Sequence, residues 1–245
     1  MKQCFFLIAL LFLSTQANSA CDQDKNILGA SYRIESKNLA TGKIVAQNKL
    51  NYWRMNKRVA YEDLGSHITQ VWSLVSNGQI KLDRYFDQPQ RGIEYQPAEL
   101  NNGKGDNNWD AKYQIIGNEA IKKMTLLSTD TQNCEVIQTY SLQEAGQKTQ
   151  LTWLDSTKLP KKLSYIKNGH EITWQLQKFI LGKEKVKENF TRRDNFQSTD
   201  YADIGDNESD PFLLKMINLG FIDHSEAGVY SSNGQPMGIT GEHHH

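Results

Sequence analysis

The chain has 245 residues, and its 28 Lys plus Arg balance its 28 Asp plus Glu, so the formal net charge is zero at pH 7. This balance provides no basic field for nucleic acid, which argues against a nucleic-acid-binding protein. The aromatic content of five Trp, ten Tyr and nine Phe indicates a folded, β-rich domain and argues against a disordered chain.

The N-terminus has the layout of a secretory signal peptide. Lys2 supplies a positive charge, residues 4–13 form an almost unbroken apolar run, and small residues follow up to Ala20. The run is too short for a transmembrane helix, which takes about 20 residues, and no longer apolar run follows it. We therefore predict that residues 1–20 are a signal peptide and that the protein is exported, to the periplasm of a bacterium.

Cys21 would become the first residue if cleavage followed Ala20. That position is acylated in bacterial lipoproteins, so a lipid anchor on Cys21 is one interpretation. A lipobox usually has Leu three residues before the cysteine, where this chain has Asn18. Ordinary cleavage after Ser19 or Ala20 is therefore favoured, and the lipid anchor remains the alternative.

Two cysteines remain after removal of the signal, Cys21 and Cys134. In an oxidising compartment an even pair is a disulfide candidate, and we predict that these two are bonded. The alternatives are a lipidated Cys21 with a buried, free Cys134, or two unpaired thiols. No C-x-x-C motif supports thioredoxin-like redox chemistry.

Short strands and tight turns follow one another from residue 29 to about residue 180. The pairs Asn77-Gly78 and Asn168-Gly169 are strong hairpin signals, and helical windows are few. The predicted fold class is mainly β (α+β), a curved antiparallel meander or unclosed β-barrel with a C-terminal helix. The predicted β domain covers residues 21–182.

One long extended stretch, residues 43–63, shows alternation with a period of two. As one strand, it would place four apolar side chains on a single face: Trp53, Met55, Val59 and Tyr61. The Asn56-Lys57 pair in its middle offers an alternative, a turn that splits the stretch into a hairpin.

Residues 183–245 form a predicted C-terminal extension with an acidic loop, a helix and a flexible tail that ends in histidines. The helix is predicted over residues 211–219, because Asp210 suits the N-cap, Pro211 the first helical position and Gly220 the C-terminal cap. We expect this helix to cover one opening of the sheet.

Two groups of side chains in the extension suggest metal binding. Calcium takes six to eight oxygen ligands, but the acidic loop lacks EF-hand spacing and is better interpreted as a solvated loop. Three terminal histidines could chelate copper, nickel or zinc. The acidic residues are Asp200, Asp203, Asp206, Glu208 and Asp210, and the histidines are His243, His244 and His245.

No catalytic motif is present. There is no G-x-S-x-G elbow, phosphate loop or G-x-G-x-x-G, and neither remaining cysteine has a catalytic context. We therefore predict neither catalytic residues nor a cofactor, with a hydrolase of unrecognised residues as a minor alternative.

Aromatic residues recur on successive strands and could line one concave face of the sheet. Such a face would make a pocket for an acyl chain or another hydrophobe, although the same residues could form a plain packed core. The pocket candidates are Trp53, Tyr61, Trp72, Phe86, Trp153 and Trp174.

Residues 151–163 (Leu-Thr-Trp-Leu-Asp-Ser-Thr-Lys-Leu-Pro-Lys-Lys-Leu) resemble the late strands of LolA/LolB-like periplasmic lipoprotein carriers. The hairpin at Asn168-Gly169 continues the likeness, as does the earlier strand from Arg58 to Glu62, and together they cover residues 30–180. The resemblance implies an unclosed β-barrel with an apolar cavity for lipid, usually plugged by helices. In this chain the sequence indicates only one convincing helix, after the sheet.

Two functions are consistent with these observations. The first is an exported, non-catalytic carrier that holds a lipid or another hydrophobic ligand, with possible peripheral contact with a membrane or a lipoprotein. The alternative is an envelope metal-handling protein that uses the histidine tail and the acidic loop. The sequence specifies neither the ligand nor the oligomeric state.

The disulfide prediction can be tested by intact mass. Protein purified from the cell envelope and treated with an alkylating agent should gain no mass without a reductant and two alkyl groups after reduction. A lipidated Cys21 would instead add the mass of its acyl chains, and two free thiols would both be alkylated without reduction.

Overall fold

The structure, a computed structural model, describes residues 24–101, 104–132, 134–144, 146–205 and 209–218. The predicted signal peptide, Cys21 and the histidine tail lie outside these residues. The strands are β1 (Ile27–Asn38), β2 (Ile44–Met55), β3 (Arg58–Asp63), β4 (Ile68–Leu74), β5 (Ile80–Phe86), β6 (Arg91–Tyr95), β7 (Thr125–Gln132), β8 (Glu135–Glu144), β9 (Gln147–Leu154), β10 (Leu159–Lys167), β11 (His170–Ile180) and β12 (Gln197–Asp200). The helices are α1 (Trp109–Gln114), α2 (Asn118–Lys122), α3 (Lys183–Asp194) and α4 (Pro211–Asn218).

All twelve strands belong to one sheet, in the order β12, β6, β5, β4, β3, β2, β1, β11, β10, β9, β8, β7. Two antiparallel meanders, β1–β6 and β7–β11, are joined where β1 pairs with β11. The strands β12 and β7 lie at the two edges, so the sheet is not closed. The predicted class, a mainly β, unclosed antiparallel sheet with a C-terminal helix, is confirmed.

The hairpin turns use residues that tolerate positive φ. Asn56 has a φ of 55° in the turn between β2 and β3, so the turn that the sequence offered as an alternative is the correct one. Asn168 and Gly169 have φ values of 51° and 75° and join β10 to β11 as predicted.

This turn overturns the predicted single face for residues 53–61. In the ladder between β2 and β3, Trp53 is opposite Ala60, while Tyr52 is opposite Tyr61. Because paired residues share a face and neighbouring residues do not, Trp53 and Tyr61 lie on opposite faces of the sheet. The chain reverses at the two turn residues, so Trp53 and Tyr61 do not share the face that one continuous strand would have given them.

The expectation of one convincing helix is wrong, because three others are present. The side chain of Asn108 accepts a hydrogen bond from the Ala111 amide and caps α1. The third helix, α3, was missed because it is mostly charged and buries only two apolar side chains, Val186 and Phe190, four residues apart. No helix among the described residues is long and apolar enough to cross a bilayer.

The C-terminal helix α4 begins where the sequence predicts. The carboxylate of Asp210 accepts a hydrogen bond from the Phe212 amide at 2.8 Å and another from Arg91 at 2.7 Å. Between α3 and α4, β12 adds to the sheet by pairing in parallel with β6. The domain boundary predicted after residue 182 remains a prediction, although the segment beyond it contributes this strand.

We call the face of the sheet that α3 covers the outer face. Val186 and Phe190 of α3 pack there with Trp53 and Tyr85. Gly29 of β1 lies beneath the Trp53 ring, and a Cβ at Gly29 would come within 2.9 Å of that ring, so glycine is required for this close approach.

Arg193, at the end of α3, is fully buried and pairs with two carboxylates on the outer face. It donates hydrogen bonds to Glu62 at 2.7 Å and to Asp87 at 2.8 Å. Burial would raise the pKa of the Glu62 carboxyl, but the charge and hydrogen bonds of Arg193 outweigh it and hold that pKa below its ordinary value. The stability that Glu62 contributes is therefore present at neutral pH and is lost as the pH falls through the lowered pKa.

Arg193→Met should lower the free energy of unfolding by about 3–5 kcal/mol, because it leaves two largely buried carboxylates without their cation. Arg192→Met is the matched control. Arg192 is 53% exposed and lies 3.3 Å from Glu62, so its loss should cost less than about 1 kcal/mol. Urea unfolding of both variants measures the difference, and equal losses would contradict the role given to Arg193.

Candidate ligand-binding face

We call the face opposite α3 the inner face. A row of paired apolar residues crosses it from the β7 edge to β1: Leu126, Tyr140, Leu151, Leu163, Trp174 and Ile34. Leu126 is 49% exposed and Tyr140 is partly buried, whereas the other four are at most 3% exposed. The row therefore passes from a packed core to an exposed apolar edge.

The sheet curves around its inner face, because strands that are not neighbours touch across it. The hydroxyl of Tyr32 on β1 donates to the Pro160 carbonyl of β10 at 2.9 Å, although β11 lies between these strands. Arg54 on β2 reaches the Thr157 carbonyl, between β9 and β10, at 2.8 Å. The inner face is therefore the inside of the curve.

Arg54 is, like Arg84 on β5, a buried cation of the inner face. Its Nε donates to the Tyr52 hydroxyl at 2.9 Å, and its guanidinium lies 4.0 Å from the centre of the Tyr113 ring. Its remaining donors are satisfied by backbone carbonyls, those of Lys25, Tyr113, Thr157 and Lys158. This one side chain connects β2, α1 and the turn between β9 and β10.

Helix α1 covers the inner face over β2–β4. The hydroxyls of Tyr52 and Tyr61 donate to the carbonyls of Tyr113 and Lys112, the second at 2.7 Å. The Lys112 ammonium lies 4.1 Å from the centre of the Trp72 ring. Burial raises the pKa of Tyr52 to about 12 and that of Tyr61 well above its ordinary value, so both hydroxyls remain protonated donors.

Helix α4 covers the inner face near β5 and β6. The Phe212 ring packs edge-on against Phe86, with 5.2 Å between centroids, and Leu213 and Met216 join the same core. The C-terminal helix thus packs on the sheet, and the expectation that it covers one opening of the sheet stays a prediction.

The inner face is less covered near β7, β8 and the C-terminal end of β10. We call four of its residues the open patch: Leu126, Tyr140, Leu142 and Tyr165. Leu126 is exposed, and the other three are partly buried hydrophobic residues that pack against the core. Every residue of β7 is exposed. An apolar surface this accessible, continuous with a buried core, can receive an apolar ligand at little cost in desolvation.

Of the six aromatic residues that the sequence nominated, five belong to the inner face. Four are buried, and Tyr61 is partly buried; Trp53 lies on the outer face, where its Nε1 donates to Glu62 at 2.8 Å. The open patch was not nominated, although Tyr140 and Leu142 alternate with Ser141 in β8 and this period of two was readable. The buried four are Trp72, Phe86, Trp153 and Trp174.

The predicted metal and cysteine sites lie mostly outside the described residues. His243, His244, His245 and Cys21 are not among them, so the disulfide stays a prediction, and Cys134 lies in the turn between β7 and β8. Within the described ranges, no group of three or more His, Cys, Asp or Glu could hold a metal ion. In the acidic loop, Asp200 accepts hydrogen bonds from Gln96 and from the Ala202 amide.

No protein-family model matches the chain, and no curated protein matches it in sequence. The chain is similar to the solved structure of PNGF-II, with 10% identity and a TM-score of 0.38, over 71% of this chain and 31% of PNGF-II. The chain thus spans about a third of that protein.

A solved outer membrane lipoprotein-sorting protein domain from Vibrio parahaemolyticus is similar over 71% of this chain and 94% of that domain, with 10% identity and a TM-score of 0.31. The MucA/MucB complex of Pseudomonas aeruginosa matches over 66% of this chain and 56% of its own, with 10% identity and a TM-score of 0.29. The suspected resemblance to lipoprotein carriers thus has a counterpart among solved structures. These TM-scores are below 0.5, so the function proposed below rests on this chain's own geometry.

Arg54→Met should destabilise the protein by about 3 kcal/mol and loosen α1, because buried carbonyls lose a charged donor. Arg33→Met is the control, since Arg33 is 45% exposed. Urea unfolding gives the stability, and hydrogen exchange of the α1 amides reports the loosening. If α1 exchanged no faster in Arg54→Met than in Arg33→Met, Arg54 would not be what holds the helix.

Proposed function

We propose that this protein is an exported, non-catalytic carrier that holds a lipid or another hydrophobic ligand against the inner face of its curved sheet. The open patch is the entry and contact surface, and the buried residues of the same row, Leu151, Leu163 and Trp174, form the floor. The signal-like N-terminus supports export to the periplasm.

The observation that carries the proposal is the gradient of exposure along one row of paired residues. From Trp174 through Leu151 to Leu126 the side chains share a face and remain apolar, yet burial is lost toward β7. In a fold with no apolar ligand, the solvent-facing end of such a row would ordinarily be polar. An acyl chain laid along β8 would cover Tyr140 and Leu142 and complete the core.

The first test is lipid content. Protein purified from the envelope without detergent should release a co-purifying lipid on organic extraction, and native mass spectrometry should show the matching adduct. The delipidated protein should then bind a fluorescent apolar probe such as N-phenylnaphthylamine. Absence of both lipid and probe binding would refute the proposal.

A substitution in the open patch locates the site. Leu142→Gln should weaken probe binding by about tenfold or more, because burying one Leu side chain is worth about 1.5–3 kcal/mol. Ile137→Gln is the matched control, because Ile137 is also partly buried on β8 but lies on the other face. We expect the control to bind within about twofold of the parent protein, and equal weakening in both variants would place the probe elsewhere.

A further inference from the structure

The hairpin formed by β1 and β2 projects beyond the strand next to it. Pairing between β2 and β3 ends at Leu50 and Asp63, whereas pairing between β1 and β2 continues to Lys37 and Ile44. Six residues of β2, 44–49, thus extend past the end of that ladder, which corresponds to about 20 Å at 3.3 Å per residue.

The end of this hairpin is apolar and exposed. We define the hairpin tip as residues 37–45. Within it, Leu39, Ile44 and Val45 are 46%, 58% and 56% exposed, and they are three of the ten exposed large hydrophobic residues among those described. Three such side chains lie within seven residues at one end of the hairpin, whereas single exposed apolar residues are ordinary.

The charged residues within the hairpin tip itself are all lysines. Lys37 and Lys43 are exposed within it, Lys49 is exposed at its base, and residues 36–49 contain no Asp or Glu. Three acids border this stretch: Glu171 lies opposite Lys37 on β11, Glu35 accepts a hydrogen bond from Gln47, and Asp63 accepts one from Asn48. The chain as a whole carries no net charge, so this positive end is a local feature.

The hairpin tip is also well ordered by its own hydrogen bonds. The side chain of Asn38 accepts from the Thr41 amide at 3.0 Å, and the Asn38 amide donates to the Lys43 carbonyl at 2.9 Å. The Leu39 amide donates to the Gly169 carbonyl at 3.0 Å, which joins the tip to the hairpin between β10 and β11. A surface held in this way presents its apolar side chains without first having to fold.

We propose that the hairpin tip docks the protein onto an anionic lipid bilayer. Exposed aliphatic side chains flanked by lysines fit the headgroup boundary, where the apolar groups enter and the lysines meet anionic headgroups. The open patch lies toward the same end of the sheet as the hairpin tip. Leu142 is near the C-terminal end of β8, and the strands β9, β10 and β11 lie between that end and the hairpin. Docking therefore brings the open patch toward the lipid surface, although the docking itself does not depend on a bound ligand.

Vesicle flotation tests the docking. The full chain, expressed from its own start, should float with vesicles of phosphatidylethanolamine and phosphatidylglycerol, and much less with phosphatidylcholine alone. High salt should weaken the binding, because the lysine contribution is screened. Failure to float with the anionic vesicles would overturn the proposal.

Two paired variants separate the apolar and the charged contributions. Ile44→Ser with Val45→Ser, and Lys37→Glu with Lys43→Glu, should each weaken binding to the anionic vesicles by about tenfold or more. The control, Lys57→Glu with Val75→Ser, changes an exposed lysine and an exposed valine at the opposite end of β2, where the Leu74 amide donates to the Lys57 carbonyl. The control should float like the parent protein.

Circular dichroism and binding of the apolar probe establish that each variant is folded and keeps its ligand site. Loss of flotation with retained probe binding supports docking through the tip. Flotation that is unchanged in both tip variants, or equal on neutral and anionic vesicles, overturns it and assigns membrane binding to another feature such as a lipid anchor. The proposed ligand binding and the proposed membrane docking can thus be refuted independently of each other.

Discussion

The pairing of β1 with β11 is the contact on which the rest of this structure depends. It joins two meanders that are each built from local hairpins, and its partners, such as Ile34 and Trp174, lie far apart in sequence. Bringing such distant segments together costs loop-closure entropy that only later contacts offset. Arg54 supports this junction from the inner face, because it belongs to β2 of the first meander and donates to carbonyls in the turn between β9 and β10 of the second.

The two faces of the sheet are stabilised by different means. The outer face is closed by α3, where Arg193 lies buried between two carboxylates and fixes the position of the helix. The inner face is closed by α1 and α4 over the first meander, while the second meander leaves apolar residues accessible near β7. A buried ion network favours one fixed arrangement, whereas an apolar surface accepts varied occupants. This contrast supports a structural role for the outer face and the binding role that we propose for the inner face.

Much of the fold could be predicted because its signals are local. The Asn-Gly hairpins, the period of two and the capped helix at Pro211 were all readable, since backbone conformation is set within a few residues. Helix α3 could not be recognised, because a mostly charged segment becomes a helix here only by burying Phe190 and Arg193 against the sheet. The ligand pocket itself stays a prediction. Of its candidate residues, Trp174 lies on the inner face, whereas Trp53 does not, because the turn at Asn56 reverses the chain.

By itself, the sequence determined the β-rich class, the hairpin positions, the capped C-terminal helix and the aromatic residues of the core, all of which follow from residue type and spacing. Only the tertiary structure decided which face each aromatic residue occupies and which apolar residues remain exposed. It also decided that the β1–β2 hairpin projects past β3. The reason is physical: exposure depends on what packs over a side chain, and these neighbours come from distant segments whose pairing no local pattern encodes.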